Sequence, residues 1–213
     1  MTTEPSTHDM RQRILDESAR LFSQKSIAST SMRQIAQKCG IQAGSLYYHF
    51  KSKDEIIAEV LELGIAHVAN VVKAELELLD ENAKFADLFA AAVRAHLNAF
   101  FLHHDYTATH IREFKQAPLN TRTKNIRTRD AYEKLWASLF EKGVNEGILA
   151  TDIDLRFARL LLLSSMNWAL EWFRPEGQRS IDELAATVIR IFLNGCAVGT
   201  MGTQPPPLLT DLI

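Results

Sequence analysis

The chain has 213 residues, 46% hydrophobic and 23% charged, which excludes wholesale disorder and collagen-like or mucin-like repeats. Two cysteines, Cys39 and Cys196, exclude a disulfide-built secreted scaffold. The net charge of −2 hides an asymmetry: residues 1–54 hold 8 Lys and Arg against 5 Asp and Glu, and residues 55–213 hold 16 against 21, a basic head on an acidic body that suits a polyanionic partner.

The opening stretch MTTEPSTHDMRQR has no apolar run, so no secretion signal is predicted. No apolar stretch approaches the roughly 20 residues of a membrane span, since Ser164, Ser165, Asn167 and Glu171 break the longest. The sequence predicts a soluble, cytoplasmic, all-α protein without period-2 alternation. A first helix is predicted over 9–24, with Leu15, Ala19 and Phe22 on one face. Ser31 and Gln34 have capping-box spacing and start a second helix, which Gly40 stops. A short third helix covers 42–48, with Ala43, Leu46 and Phe50 expected to face inward. Ser52 and Glu55 start a long fourth helix that runs to about residue 79. Further helices are predicted over 83–103, 105–116, 119–146, 152–173 and 180–199, and Pro205, Pro206 and Pro207 give an extended tail over 200–213. Domain limits of 1–54 for the head and 55–199 for the body follow.

Three short helices, with a Gly-containing turn between the second and third, fit a helix-turn-helix. Gln42, Gly44, Ser45, Tyr47 and Tyr48 are expected to face outward. Gln42 can pair bidentately with adenine and Ser45 can bond a base or a phosphate. Thr30 and Ser31 stand where a helix N-terminus meets a phosphate, and Arg33 can reach a base edge or the backbone.

The segments Ser31-Met32-Arg33-Gln34-Ile35-Ala36, Cys39-Gly40-Ile41, Gly44-Ser45-Leu46-Tyr47-Tyr48-His49-Phe50 and Ser52-Lys53-Asp54-Glu55 resemble the N-terminal domain of TetR-family transcriptional regulators. The resemblance implies a double-stranded DNA operator, with Ala43 in the DNA-facing helix and Tyr47, Tyr48, His49 and Lys53 as phosphate anchors. Gln42 departs from the Ser or Thr of many members, which weakens the helix cap. The resemblance also implies a homodimer built on the last two helices, with Leu162, Met166, Val188, Ile191, Phe192 and Gly195 at its interface, and a ligand pocket in the body. Phe89, Phe100, Phe114, Trp136, Phe140, Trp168 and Trp172 are the candidate pocket aromatics. The run from Trp168 through Trp172-Phe173-Arg174-Pro175-Glu176-Gly177 resembles a TetR subgroup linked to fatty-acid and steroid catabolism, several members of which respond to acyl-CoA thioesters. Arg122, Lys124, Arg127 and Arg129 supply cations for such a ligand's phosphates, or form a solvated helix face. The expected function is a repressor released by a small hydrophobic effector. The alternative is a drug-responsive repressor of an efflux pump, which carboxylates in the pocket would favour. No hydrolase, zincin or phosphate-loop motif occurs, so no enzyme and no cofactor are expected. His96, His103, His104 and His110 show no recognised ligand spacing, so no metal is expected either.

Overall fold

The computed structural model describes residues 7–194. The described elements are α1 (Thr7–Lys25), α2 (Met32–Cys39), α3 (Ala43–His49), α4 (Lys53–Glu77), α5 (Phe85–Leu102), α6 (His104–Glu113), a 3-10 turn (Phe114–Gln116), α7 (Leu119–Asn145), α8 (Leu155–Trp172) and α9 (Ile181–Asn194). The sequence places each helix, with one difference. The helix expected over 105–116 tightens into the 3-10 turn at Phe114, just ahead of Pro118, which disfavours helix in the residue before it. Gly195, Gly199, Cys196 and the tail over 200–213 lie outside the described residues.

Local chemistry sets the boundaries. Ser31 and Gln34 form the full capping box at α2, each side chain closing the other's backbone N–H. Gly40 ends α2 at φ 69°, a left-handed conformation that glycine adopts without steric cost. Ser52 caps α4 by accepting from the Glu55 N–H, while the Glu55 carboxylate reaches the Lys51 N–H. Asp154 caps α8 by accepting from the Arg156 and Phe157 amides.

Two apolar clusters share α4. The head cluster joins Ile14, Leu15 and Phe22 of α1, Ile35 of α2, Leu46 of α3, and Ile56, Ile57, Val60 and Leu61 of α4. The body cluster takes Val68 and Val72 of the same helix and packs them on α5, α7, α8 and α9. Gly64 lies between the two sets. The 18-residue α5 is long and apolar enough to cross a membrane by length and composition, but ten of its residues are buried here, as suits a core helix.

Candidate nucleic-acid interface and effector cavity

Leu46 and Phe50 are fully buried and seat α3 on the head core. The rest of α3 faces outward: Gln42, Ala43, Gly44, Ser45, Tyr47 and Tyr48 are all exposed, Tyr48 at 75%. Ala43 is therefore corrected from inward to outward, because one turn of buried contact is satisfied by Leu46 and Phe50 alone. Gln42 makes no capping bond, which leaves its amide available. A Cβ added at Gly44 would meet nothing within 4 Å, so a groove wall can approach the helix closely there. His49 is half-buried and stands edge-on to Tyr48 at 5.3 Å. Arg33 and Ser31 are exposed on α2.

Two expected contacts are placed differently. Thr30 is buried, and its hydroxyl donates to the Ser26 carbonyl at 2.9 Å, so it locks the turn before α2 and does not face solvent. Lys53 donates to the Ile27 carbonyl at 2.6 Å and is half-buried, which makes it a tie on the α1–α2 loop.

In the body, a cavity of about 310 Å³ opens between α4, α5, α6, α7 and α8. Gly64, Ile65 and Val68 form its α4 wall, and His96 and Phe100 its α5 wall. Thr107, His110 and Ile111 come from α6, followed by Phe114 and Lys115. Arg122, Arg129, Tyr132 and Glu133 line it from α7, and Leu160, Leu163, Ser164 and Asn167 from α8. Among the described residues three cations thus face one carboxylate, and Glu133 already has Arg159 3.8 Å away. The Arg122 Nε is buried without a hydrogen-bond partner among the described residues, and the Arg129 guanidinium lies over the Phe114 ring at 4.7 Å.

Of the expected pocket residues, Phe100 and Phe114 line the cavity. Phe89, Trp136 and Phe140 do not: they are at most 1% exposed and pack with one another in the body core. Trp168 and Trp172 are 66% and 56% exposed and also lie off the wall. Arg127 is exposed and off the wall too, because Arg122 and Arg129 are seven residues apart on one helix face and Arg127 is turned away.

The α6 helix touches both units. It lines the cavity, and its other side is bonded to the head. Ser23 donates to Asp105 at 2.6 Å, Tyr106 donates to Asp16 at 2.7 Å, and Thr109 donates to the Ala19 carbonyl at 3.1 Å. The Ile27 amide donates to Glu113 at 2.9 Å. His110 donates from Nδ1 to the Leu61 carbonyl of α4 at 2.8 Å. Burial holds the pKa of that imidazole at about 4, against a pull upward from the Leu61 carbonyl. The α4–α6 crossing is tight: a Cβ at Gly64 would stand 2.6 Å from the Tyr106 carbonyl oxygen.

The expected dimer residues separate as well. Leu162 and Met166 are buried within the chain, at 0% and 1% exposure, and Val188 and Phe192 pack inward on the body core. Phe192 stacks near Phe89 at 5.8 Å. Only Ile191 of the described set is exposed. The outward stripe of α8 is instead Phe157, Leu161, Trp168 and Trp172, spaced as one helical face. Periodicity marked an apolar face on α8 but could not tell which of its two sides met the core.

Comparison with known proteins decides the family. The model described as bacterial regulatory proteins, tetR family, matches residues 14–60, and the tetracyclin repressor-like C-terminal domain matches residues 82–196. The chain belongs to the TetR family. It is therefore a transcriptional regulator with a helix-turn-helix head and a helical C-terminal domain, and not an enzyme. A relative named HTH-type transcriptional repressor KstR2, from Rhodococcus jostii, is 29% identical over 188 residues, covering 88% of this chain and 91% of that protein. The crystal structure of the TetR-family regulator PfmR from Thermus thermophilus is 30% identical, with a TM-score of 0.77, and covers 87% of this chain and all of that one. AibR, solved in complex with isovaleryl coenzyme A and operator DNA, is 19% identical with a TM-score of 0.74, covers 86% of this chain and 98% of that one, and shows the shared fold.

Within this TetR-family frame, the helix predicted over 105–116 is α6, but its bonds to the head had no counterpart in the sequence. Its packing on α4 did leave a signal in Gly64, a glycine inside a helix where it costs about 1 kcal/mol against alanine. Such a residue marks a close approach, here the Tyr106 backbone. Lys115, Tyr132 and Asn167 were also missed, and only Tyr132 stands on the same helix face as the recognised Arg129.

Proposed function

We propose that this TetR-family regulator is a homodimeric repressor that a small effector with an apolar body and an anionic end releases from a palindromic operator. The observation that carries the reading is α6, one side of which walls the cavity while the other is bonded to α1 of the head. An effector that displaces α6 must drag or break those bonds, and so shift the head relative to α4. Such coupling is typically worth about 1–3 kcal/mol, or 5–150-fold in affinity.

The effector class is an acyl-CoA thioester. Aliphatic and aromatic wall residues suit the acyl group, and Lys115, Arg122 and Arg129 suit the phosphates. Support comes from AibR, which shares the fold and binds isovaleryl coenzyme A. A drug-responsive efflux repressor would want unpaired carboxylates in the pocket. Among the described residues Glu133 is the one carboxylate on this wall, and Arg159 stands beside it.

On DNA, Gln42, Ala43, Gly44 and Ser45 face the major groove, Arg33 flanks them, and Tyr47, Tyr48 and His49 hold phosphates. Ser31 presents the N-terminus of α2 to the backbone. Lys53 orients the α1–α2 loop and keeps two further N–H donors for a phosphate. The exposed Phe157, Leu161, Trp168 and Trp172 stripe, joined by Ile191, is the homodimer face. The protein works in the cytoplasm, where its DNA is.

Selection of genomic fragments by the purified protein, read by sequencing, tests this reading. The expected result is a near-palindrome with half-sites about one helical turn, 34–36 Å, apart, beside genes of acyl-CoA metabolism. A folded, dimeric protein that enriches no site overturns it.

A further inference from the structure

One group in the cavity serves neither an apolar chain nor an anion. His96, on α5, is 2% exposed and lies on the cavity wall. Its ring stacks on Phe100 at 5.3 Å and runs nearly parallel to Tyr132. Nδ1 stands 2.7 Å from the Tyr132 phenolic oxygen. Nε2 is buried and has no hydrogen-bond partner within 3.5 Å among the described residues, with Asn167 the polar side chain that acts on the ring from beyond that distance. Burial holds the imidazole pKa at about 4, opposed by the hydrogen-bonding pull of the Asn167 side chain, so the ring is neutral at neutral pH.

The tautomer follows from the partners. Burial pushes the Tyr132 phenol up, so it keeps its O–H. The acceptor in reach of that O–H is Nδ1 of His96. A Tyr132 that donates to Nδ1 leaves the imidazole proton on Nε2, because a neutral ring carries one. Nε2–H is then a buried donor held in a fixed direction by ring stacking and by Tyr132. Buried donors in native proteins are rarely left without an acceptor. Asn167 lines the same wall.

We propose that the effector carries a carbonyl oxygen within its acyl skeleton, separate from the thioester, and that His96 Nε2–H reads it, with Tyr132 as the positioning residue that fixes the tautomer. This rests on the reading of the cavity as an acyl-CoA site and narrows the acyl group to an oxo-acyl class. A saturated chain leaves the donor unpaired, which is how a buried polar group rejects an analogue that lacks its partner.

The test uses decanoyl-CoA and a panel of its mono-oxo derivatives with the ketone at successive carbons from 4 to 9. Calorimetry measures their binding to the wild type and to His96→Phe, His96→Gln and Tyr132→Phe, with folding checked by circular dichroism. At least one oxo derivative binds the wild type about tenfold tighter than decanoyl-CoA. That ratio falls below about twofold in His96→Phe, survives in part in His96→Gln, which keeps an N–H donor, and drops about threefold in Tyr132→Phe. Imidazole 15N spectra of the free protein show the His96 proton on Nε2.

Equal binding of the whole panel by the wild type, while decanoyl-CoA binds and releases DNA, overturns the inference and leaves the acyl-CoA reading standing. So does a proton on Nδ1. Equal weakening of decanoyl-CoA and its oxo derivatives in His96→Phe overturns it in favour of the thioester carbonyl. Failure of every thioester to bind removes the acyl-CoA reading and this inference with it.

Discussion

Gly64→Ala is the sharpest probe of how the cavity and the head communicate. The added Cβ would stand 2.6 Å from the Tyr106 carbonyl oxygen, 0.8 Å short of the 3.4 Å at which ordinary contact begins. It would also lie 3.1 Å from the Tyr106 carbonyl carbon and 3.0 Å from the His110 Cβ. Two of these three neighbours are backbone, so no side-chain rotation relieves the clash. The α4–α6 crossing must open by several tenths of an ångström, and the His110–Leu61 bond lies in the same crossing. Overpacking of this kind costs about 1–3 kcal/mol, and the alanine returns about 1 kcal/mol of helix propensity. The net loss is about 0–2 kcal/mol, small enough for the protein to fold. Because α6 is bonded to α1 at several points, its displacement passes to the head. Operator affinity, measured by fluorescence anisotropy, should fall at least fivefold, toward the effector-bound value. Gly143→Ala is the control. Its Cβ would press on Leu149 and Phe85 in the body, away from α6, at 2.9 Å. It should lower stability and leave operator affinity within twofold. A folded Gly64→Ala protein with wild-type affinity would refute the coupling argument, as would equal loss in both variants.

Three further outcomes follow from the same geometry. His96 and His110 are buried and neutral, with pKa values lowered to about 4. The unfolded chain binds their protons first, so their contribution is full above about pH 6.5 and is lost as pH falls toward 4. Urea denaturation should show about 2 kcal/mol lost per histidine between pH 6.5 and pH 5, and His110→Gln should remove about half of that slope. An unchanged slope would mean that the ring is solvated. Leu161→Glu combined with Trp168→Glu should convert dimer to monomer in sedimentation velocity with the helical signal intact, whereas Leu162→Glu should unfold the body. Tyr48→Phe should weaken every DNA sequence by a similar factor, whereas Gln42→Ala should change the ranking of operator variants in a binding selection.

The head was legible because its determinants are local. Ser31 and Gln34 are three residues apart, Gly40 needs only its own left-handed φ, and Leu46 with Phe50 is one helical turn. The family signature lies in that same short stretch. The body was legible as helices but not as a site. Phe89, Trp136 and Phe140 carry the same pattern whether they fill a core or line a cavity, and only packing separates the two. Arg122 and Arg129 were separable from Arg127 by helical phase alone, a distinction that a count of cations erased. Of the α6 clasp, only the helix itself and the close approach at Gly64 left a mark in the sequence. Its bonds join residues about 80 to 90 positions apart, such as Ser23 with Asp105 and Asp16 with Tyr106. No local pattern encodes them.

The central claim is that effector occupancy of the body loosens the head from DNA. The direct measurement titrates the selected operator duplex, bound by the wild-type protein, with decanoyl-CoA and its oxo derivatives. Anisotropy reads DNA release, and tryptophan fluorescence reads occupancy in the same sample, since Trp136 lies 6.3 Å from the His96 ring. The account predicts that operator affinity falls at least fivefold as occupancy saturates. Saturation of the cavity with no change in operator affinity would contradict it.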